Sequence, residues 1–176
     1  MKKRPSAYAD PIPGLLAVVE TLRRRGIKIG STTGYLSSMM AVLAPEAARR
    51  GYTPDCIVCP DEVFAGRPYP WMCYQNAIHL GVYPNDVIVK VGDTLLDIEE
   101  GLNTGMWAVG LALTGNLLGL HEAEVNALTT EERQAAREQI AEQMYRVGAH
   151  VVVDGIWKLP LALERIEYWL SQGERP

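Results

Sequence analysis

The run Val87-Ile88-Val89-Lys90-Val91, passing directly into Gly92-Asp93-Thr94-Leu95-Leu96-Asp97, is the stretch on which the fold turns. A short β-branched segment that ends on a glycine and moves at once into a helical pattern reads as a strand feeding a crossover helix. The same alternation extends outward in both directions. It predicts strands at Ile27 to Ser31, Cys56 to Cys59, Val87 to Val91, Trp107 to Leu111 and His150 to Val153. Helices are predicted at Gly14 to Arg25, Ser37 to Arg50, Tyr69 to Gly81, Leu95 to Thr104, Thr130 to Val147 and Ile156 to Leu170. A helix precedes every strand, which is the pattern of an α/β fold with a Rossmann-like parallel sheet and crossover helices. One boundary carries its own signal: Thr129 with Glu132 forms a capping box, Ala136, Ile140, Met144 and Val147 share a helical face, and Gly148 is the stop. The stretch Thr114 to Leu120, with two glycines after a strand, reads as a loop near the sheet's carboxyl edge.

Composition limits the function classes. At 48% hydrophobic and 22% charged, a chain of 176 residues has the makings of one α/β-sized domain with a real core. An N-terminal tail over residues 1–11 and a core domain over residues 12–176 are expected. The formal net charge of −4 argues against nucleic-acid binding, which needs clustered cations. The run Lys2-Lys3-Arg4 is short and reads as a solvated tail. No apolar stretch approaches the roughly 20 residues needed to cross a bilayer. The basic start leads into Pro5, Ser6 and Asp10 rather than a signal-peptide core, so a cytoplasmic protein with no membrane contact is expected. Cys56 and Cys59 form a C-x-x-C in an apolar run without a second Cys or His pair, which favours a structural role over zinc or redox chemistry. His79, His121 and His150 are not spaced for a zinc site or a histidine triad.

Ligands of such sheets bind beyond the carboxyl ends of the strands, so the turns after Ile29, Cys59 and Val91 are where chemistry is sought. The first turn, Gly30-Ser31-Thr32-Thr33-Gly34-Tyr35, puts hydroxyls and backbone N–H groups at a helix start. That is an anion-binding arrangement, and equally one in which the hydroxyls only cap the helix. The second, Pro60 to Trp71, delivers Arg67 between stiffening prolines, and a guanidinium fork suits phosphate. The third carries Asp93 and Asp97 across a strand-to-helix turn. Strand-end carboxylates suit Mg²⁺, while the plainer reading makes Thr94 or Asp93 an N-cap and Asp97 a first-turn charge. Taken together, these turns suit Mg²⁺-assisted phosphoryl chemistry on a small substrate.

Three of these segments resemble a known family. Ser31-Thr32-Thr33-Gly34-Tyr35, Ala65-Gly66-Arg67-Pro68-Tyr69-Pro70-Trp71-Met72-Cys73-Tyr74 and Lys90-Val91-Gly92-Asp93-Thr94 are similar to the later motifs of the phosphonoacetaldehyde hydrolases, members of the haloacid dehalogenase superfamily. Asn103-Thr104-Gly105-Met106-Trp107 and the Gly119-Leu120 loop are also similar, and the likeness runs from about Ile12 to the last helix. The resemblance implies a haloacid dehalogenase-like core. It also implies Mg²⁺-dependent hydrolysis of the C–P bond of phosphonoacetaldehyde to acetaldehyde and phosphate, through a lysine Schiff base and an aspartyl-phosphate. By the same resemblance, Thr33, Gly34 and Arg67 hold and balance the phosphoryl oxygens, Asp93 ligates Mg²⁺, Asp97 supports that carboxylate, and Lys90 is a local electrostatic partner.

In that family the nucleophilic aspartate lies on an N-terminal strand and the Schiff-base lysine on a helical cap, and neither is found in these residues. The lysines are Lys2, Lys3, Lys28, Lys90 and Lys158, none of them in a cap-like insertion. The resemblance makes the absent strand the central one, so the chain is expected to be a fragment of the complete enzyme, poorly folded or inactive by itself. The family's homodimer is expected only as a possibility, since its cap helices take part in the interface. Two further readings stand beside this one. One is a Mg²⁺-dependent phosphatase of the same superfamily; the other is a non-catalytic fragment that binds phosphate or a partner chain.

Overall fold

A computed structural model describes residues 9–176, apart from the side chain of Glu122. The first eight positions of the expected tail, with Lys2-Lys3-Arg4, lie outside the described residues. The chain falls into two compact units that divide after Tyr83.

The first unit contains α1 (Leu15–Arg24), β1 (Gly30–Thr32), α2 (Ser37–Arg49), β2 (Cys56–Val58), a short 3-10 turn at Pro60–Glu62 and α3 (Trp71–Leu80). β1 and β2 run parallel, with Gly30 opposite Cys56 and Thr32 opposite Val58. β1 is shorter than the apolar run suggests. Ile27 N–H turns back to Leu22 O to finish α1, so the strand starts only where Asp55 N–H meets Ile29 O and β2 comes alongside. α1 buries Val18, Val19 and Leu22, the i, i+1, i+4 stripe of an amphipathic helix. α3 lies close on β1: a Cβ on Gly30 would sit 2.5 Å from Asn76 Oδ1. The Asn76 amide fastens the two elements by donating to Ser31 O and Met72 O at 3.1 and 3.2 Å.

The second unit contains β3 (Val89–Gly92), α4 (Leu95–Thr104), β4 (Trp107–Leu111), α5 (Glu122–Ala127), α6 (Thr130–Arg146), β5 (Val151–Val153) and α7 (Leu159–Ser171). Its three strands are parallel in the order β3-β4-β5. β4 is buried along its whole length, as a central strand covered on both faces should be. Ile98, Ala108, Ile140, Met144 and Val152 form the core. α6 begins at the expected box, with Thr129 Oγ1 accepting from Glu132 N–H at 3.2 Å and Glu132 Oε2 accepting from Thr129 N–H at 2.8 Å. Gly148, at φ 105°, ends the turn that follows it.

The α/β class and parallel strands agree with the sequence. The strands form two ladders, β1-β2 and β3-β4-β5, in keeping with the expected absence of a central strand. β1 and β3 each therefore keep an edge with no ladder partner among the described residues, and such edges expose N–H and C=O groups ready to pair. Three differences are local. Val87 belongs to a 3-10 turn, Asn85–Val87, and pairing begins two residues later. The last predicted helix opens as a separate 3-10 turn, Ile156–Lys158, before Pro160 takes the second position of α7, where its missing N–H costs nothing. The six-residue α5 was not expected, being too short to show a period.

His150 gives this unit a pH-dependent joint. Its Nδ1 accepts the Ala108 N–H at 2.9 Å, and its ring meets Trp107 edge-on at 4.9 Å. Burial pushes the imidazole below its ordinary value near 6.5, because a cation there loses water. The unfolded chain takes up this proton more readily than the native one, so this contribution is complete above about pH 6.5 and lost on acidification below it. The urea midpoint is expected to fall between about pH 7.5 and pH 5.5, and to fall less in His150→Gln. An equal fall in both proteins would remove His150 from the account.

Candidate functional site

The carboxyl end of β1 carries the hydroxyl-rich turn. Thr33 is half-buried and its Oγ1 accepts the Tyr35 N–H at 3.1 Å, a local turn that holds the backbone bend. Gly34 is exposed, and a Cβ there would meet nothing within 4 Å, so the backbone at this point is open to a ligand. The start of α2 is already occupied. Asp61 accepts the Ser37 N–H at 2.9 Å and the Ser37 hydroxyl at 2.5 Å. Those bonds hold the Asp61 carboxyl below the usual carboxylate range. A carboxylate thus sits where a helix N-terminus favours an anion, and Ser37 is spent on it.

Arg67 reaches the same strand end. Its Nη2 donates to Thr32 O at 3.0 Å, so the half-buried guanidinium is anchored on the residue before Thr33. On the same loop and the start of α3, Phe64, Trp71 and Tyr74 form an edge-to-face series with centroid spacings of 6.0 and 6.3 Å. Within the first unit the structure thus brings Thr33, Gly34 and Arg67 to one place: two strand-end groups able to donate to an anion and one planar cation.

The second unit carries the carboxylates. Asp93 follows β3, and its Oδ2 accepts both the backbone N–H and the side-chain Nδ2–H of Asn116, each at 2.8 Å. Asp97 is spent on its own turn. Its Oδ2 accepts the Thr94 hydroxyl at 2.6 Å and the Thr94 N–H at 3.1 Å, while Asp97 N–H returns to Thr94 Oγ1, the reciprocal capping box of α4. Lys90 points into the interior from β3. Its Nζ lies 2.5 Å from Glu100 Oε2 and 3.5 Å from Asp97 Oδ1. The plainer reading of Asp97 is therefore realised in its capping contacts, and Lys90 ties strand, cap and helix together.

Asp61, Glu100 and Asn116 were not singled out in the sequence. Glu100 had a signal: a lysine inside an apolar strand needs a counter-charge, and the glutamates of the following helix are the nearest source. Asn116 lies in the glycine-bearing loop expected at the carboxyl edge, but nothing local to that loop indicates which strand end it reaches.

Among the described residues no cluster of three His, Cys, Asp or Glu side chains could hold a metal. The donor set at Asp93 still suits a hard cation: one strand-end carboxylate has one oxygen held and the other without a hydrogen bond among the described residues. Mg²⁺ commonly takes one or two protein carboxylates and keeps its waters. The cysteines do not offer a thiolate site. Cys59 and Cys73 are buried, burial raises the Cys56 thiol, and burial with the adjacent Glu62 pushes Cys59 up to about 11. Among the described residues no helix is long and apolar enough to cross a membrane.

Comparison with known proteins gives a consistent result. The model of the haloacid dehalogenase-like hydrolases matches residues 6–105. A phosphonoacetaldehyde hydrolase-like protein of Syntrophobacter fumaroxidans is 53% identical over 169 residues, which cover 96% of this chain and 61% of that protein. A phosphonoacetaldehyde hydrolase of Bacillus thuringiensis (strain Al Hakam) is 50% identical over 160 residues, 91% of this chain and 61% of the relative. The crystal structure of a phosphonoacetaldehyde hydrolase-like protein from Oleispira antarctica superposes with a TM-score of 0.95 at 37% identity, covering 98% of this chain and 62% of that one. The chain thus spans 61% of the length of these sequence relatives.

Proposed function

Because the chain belongs to the haloacid dehalogenase-like hydrolase family, we propose that its function is that of a phosphonoacetaldehyde hydrolase. The reaction is cleavage of the C–P bond of phosphonoacetaldehyde by water, giving acetaldehyde and phosphate. The observation that carries this reading is the anchoring of Arg67 on Thr32 O beside Thr33 and Gly34, in a chain about half identical to phosphonoacetaldehyde hydrolases over nearly all of its residues. Arg67 balances phosphoryl charge and orients it by its planar fork, with the guanidinium held in place by the β1 carbonyl so that little rotamer freedom is lost on binding. Thr33 supplies a hydroxyl, and Gly34 a backbone approach free of any side chain.

Asp93 would hold Mg²⁺, and the cation supplies neutralisation of phosphoryl charge when bound. Asp97 and Lys90 act indirectly, by fixing the turn from which Asp93 projects. Thr33, Gly34 and Arg67 thus serve the phosphoryl end of the substrate.

The test is release of acetaldehyde and phosphate from phosphonoacetaldehyde with Mg²⁺. It is run on the 176 residues and on the product of the surrounding reading frame, the more active form carrying the comparison. Equal yields of the two products are expected, and Arg67→Ala should lower kcat/KM by about 10²–10³, the scale set by removing one preorganised charge-stabilising donor. Phosphate released from a phosphomonoester, with none from phosphonoacetaldehyde, would replace this reading by that of a phosphatase.

A further inference from the structure

We propose that Asn116 is the positioning residue that presents Asp93 to a hard divalent cation, an inference that rests on the reading of Asp93 as the Mg²⁺ ligand. β3 and β4 are neighbours in parallel register, with Gly92 opposite Gly110, so the turns that leave them emerge on one edge. Asp93 stands on the first of these turns and Asn116 on the second. Asn116 places two donors on a single oxygen, its backbone N–H and its Nδ2–H both lying 2.8 Å from Asp93 Oδ2. The loop is seated on the carboxylate. A Cβ on Gly115 would lie 2.3 Å from Asp93 Cβ, so only glycine lets the backbone approach this closely.

A carboxylate with one oxygen doubly held has its rotamer and plane set before a ligand arrives. The other oxygen, Oδ1, is the one left to accept a cation. Partners one step removed from a metal typically change its affinity by 10–100-fold, because they orient the ligand atom and set its electron density. Asn116 does this without touching the ion. Thr94 and Asp97 steady the same turn from its helical side, so Asp93 is fixed by its backbone through α4 and by its side chain through Asn116.

Mg²⁺ titrated into the full chain in a calorimeter separates the possibilities. Asn116→Ala keeps the backbone donor and removes Nδ2, and is expected to weaken Mg²⁺ binding about tenfold while leaving the unfolding midpoint unchanged. Thr129→Ala, which uncaps α6, should do the opposite, lowering the midpoint without moving Mg²⁺ affinity. Asp93→Asn should abolish binding. Mg²⁺ affinity that survives Asp93→Asn would overturn the metal reading, and this inference with it. Binding lost in Asp93→Asn but held within about twofold in Asn116→Ala would overturn the role of Asn116 alone. Nuclear magnetic resonance gives a second readout of the contact itself: the side-chain amide of Asn116 should shift in Asp93→Asn, and an unmoved signal would also overturn the proposal.

Discussion

Lys90→Met is expected to destabilise the fold by about 3–5 kcal/mol, the usual cost of removing one partner from a buried ion pair. Lys90 is 9% exposed, Glu100 0% and Asp97 3%, so the Glu100 carboxylate and its cation are both withdrawn from solvent. The lysine stem is also part of the packing between strand and helix: a Cβ on Gly101 would stand 2.8 Å from Lys90 Cβ, which shows how tightly α4 lies on β3 at this point. Most of the loss is the expense of a stranded charge and not the net value of the pair. The double variant Lys90→Met, Glu100→Leu should therefore recover most of the stability, since buried pairs replaced together by apolar residues are often neutral or better. Urea unfolding of the single and double variants measures both parts. A single variant within about 1 kcal/mol of the parent would overturn the stranded-charge account.

Gly92→Ala should cost about 2–3 kcal/mol and weaken Mg²⁺ binding as well. A Cβ on Gly92 would lie 2.1 Å from Asp97 Cβ and 2.5 Å from its Cγ. The obstructing Cβ is bonded to the α4 backbone, so it cannot swing aside by a change of rotamer; the helix start must retreat, and the Thr94–Asp97 box opens with it. Gly110 is a useful contrast. A Cβ there would meet Met144 Sδ at 2.3 Å, an atom near the end of a flexible side chain, so Gly110→Ala should cost less even though Met144 is fully buried. Asp93 follows Gly92 directly, so a displaced turn moves the carboxylate off its Asn116 donors. Calorimetric Mg²⁺ affinity and urea midpoint should thus fall together in Gly92→Ala. Parent-like values for both would mean that α4 can retreat without disturbing the turn.

Much of this was open to reading in the linear chain. α4 and β4 begin and end where periodicity and β-branching place them, at Leu95–Thr104 and Trp107–Leu111, because each is bounded by a glycine or a cap whose conformational demand is local. The Thr129–Glu132 box is local in the same way. Errors arose where an apolar run carries on past its partner. Ile27 and Val87 look like strand residues, yet one completes a helix end and the other a 3-10 turn, since strand length is set by the neighbouring chain and not by the residues alone.

The amino-acid sequence by itself determined the α/β class, the order of helices and parallel strands, and the turns at which Thr33, Arg67 and Asp93 stand. Only the tertiary structure decided what those side chains touch. That Arg67 anchors on Thr32, that Lys90 is answered by Glu100, and that Asn116 holds Asp93 depend on residues 10 to 35 positions apart meeting through helix packing and parallel register. A propensity describes a residue and its near neighbours. A contact between two strand ends is fixed by how the strands align and how closely glycines such as Gly92 and Gly115 allow the backbone to approach.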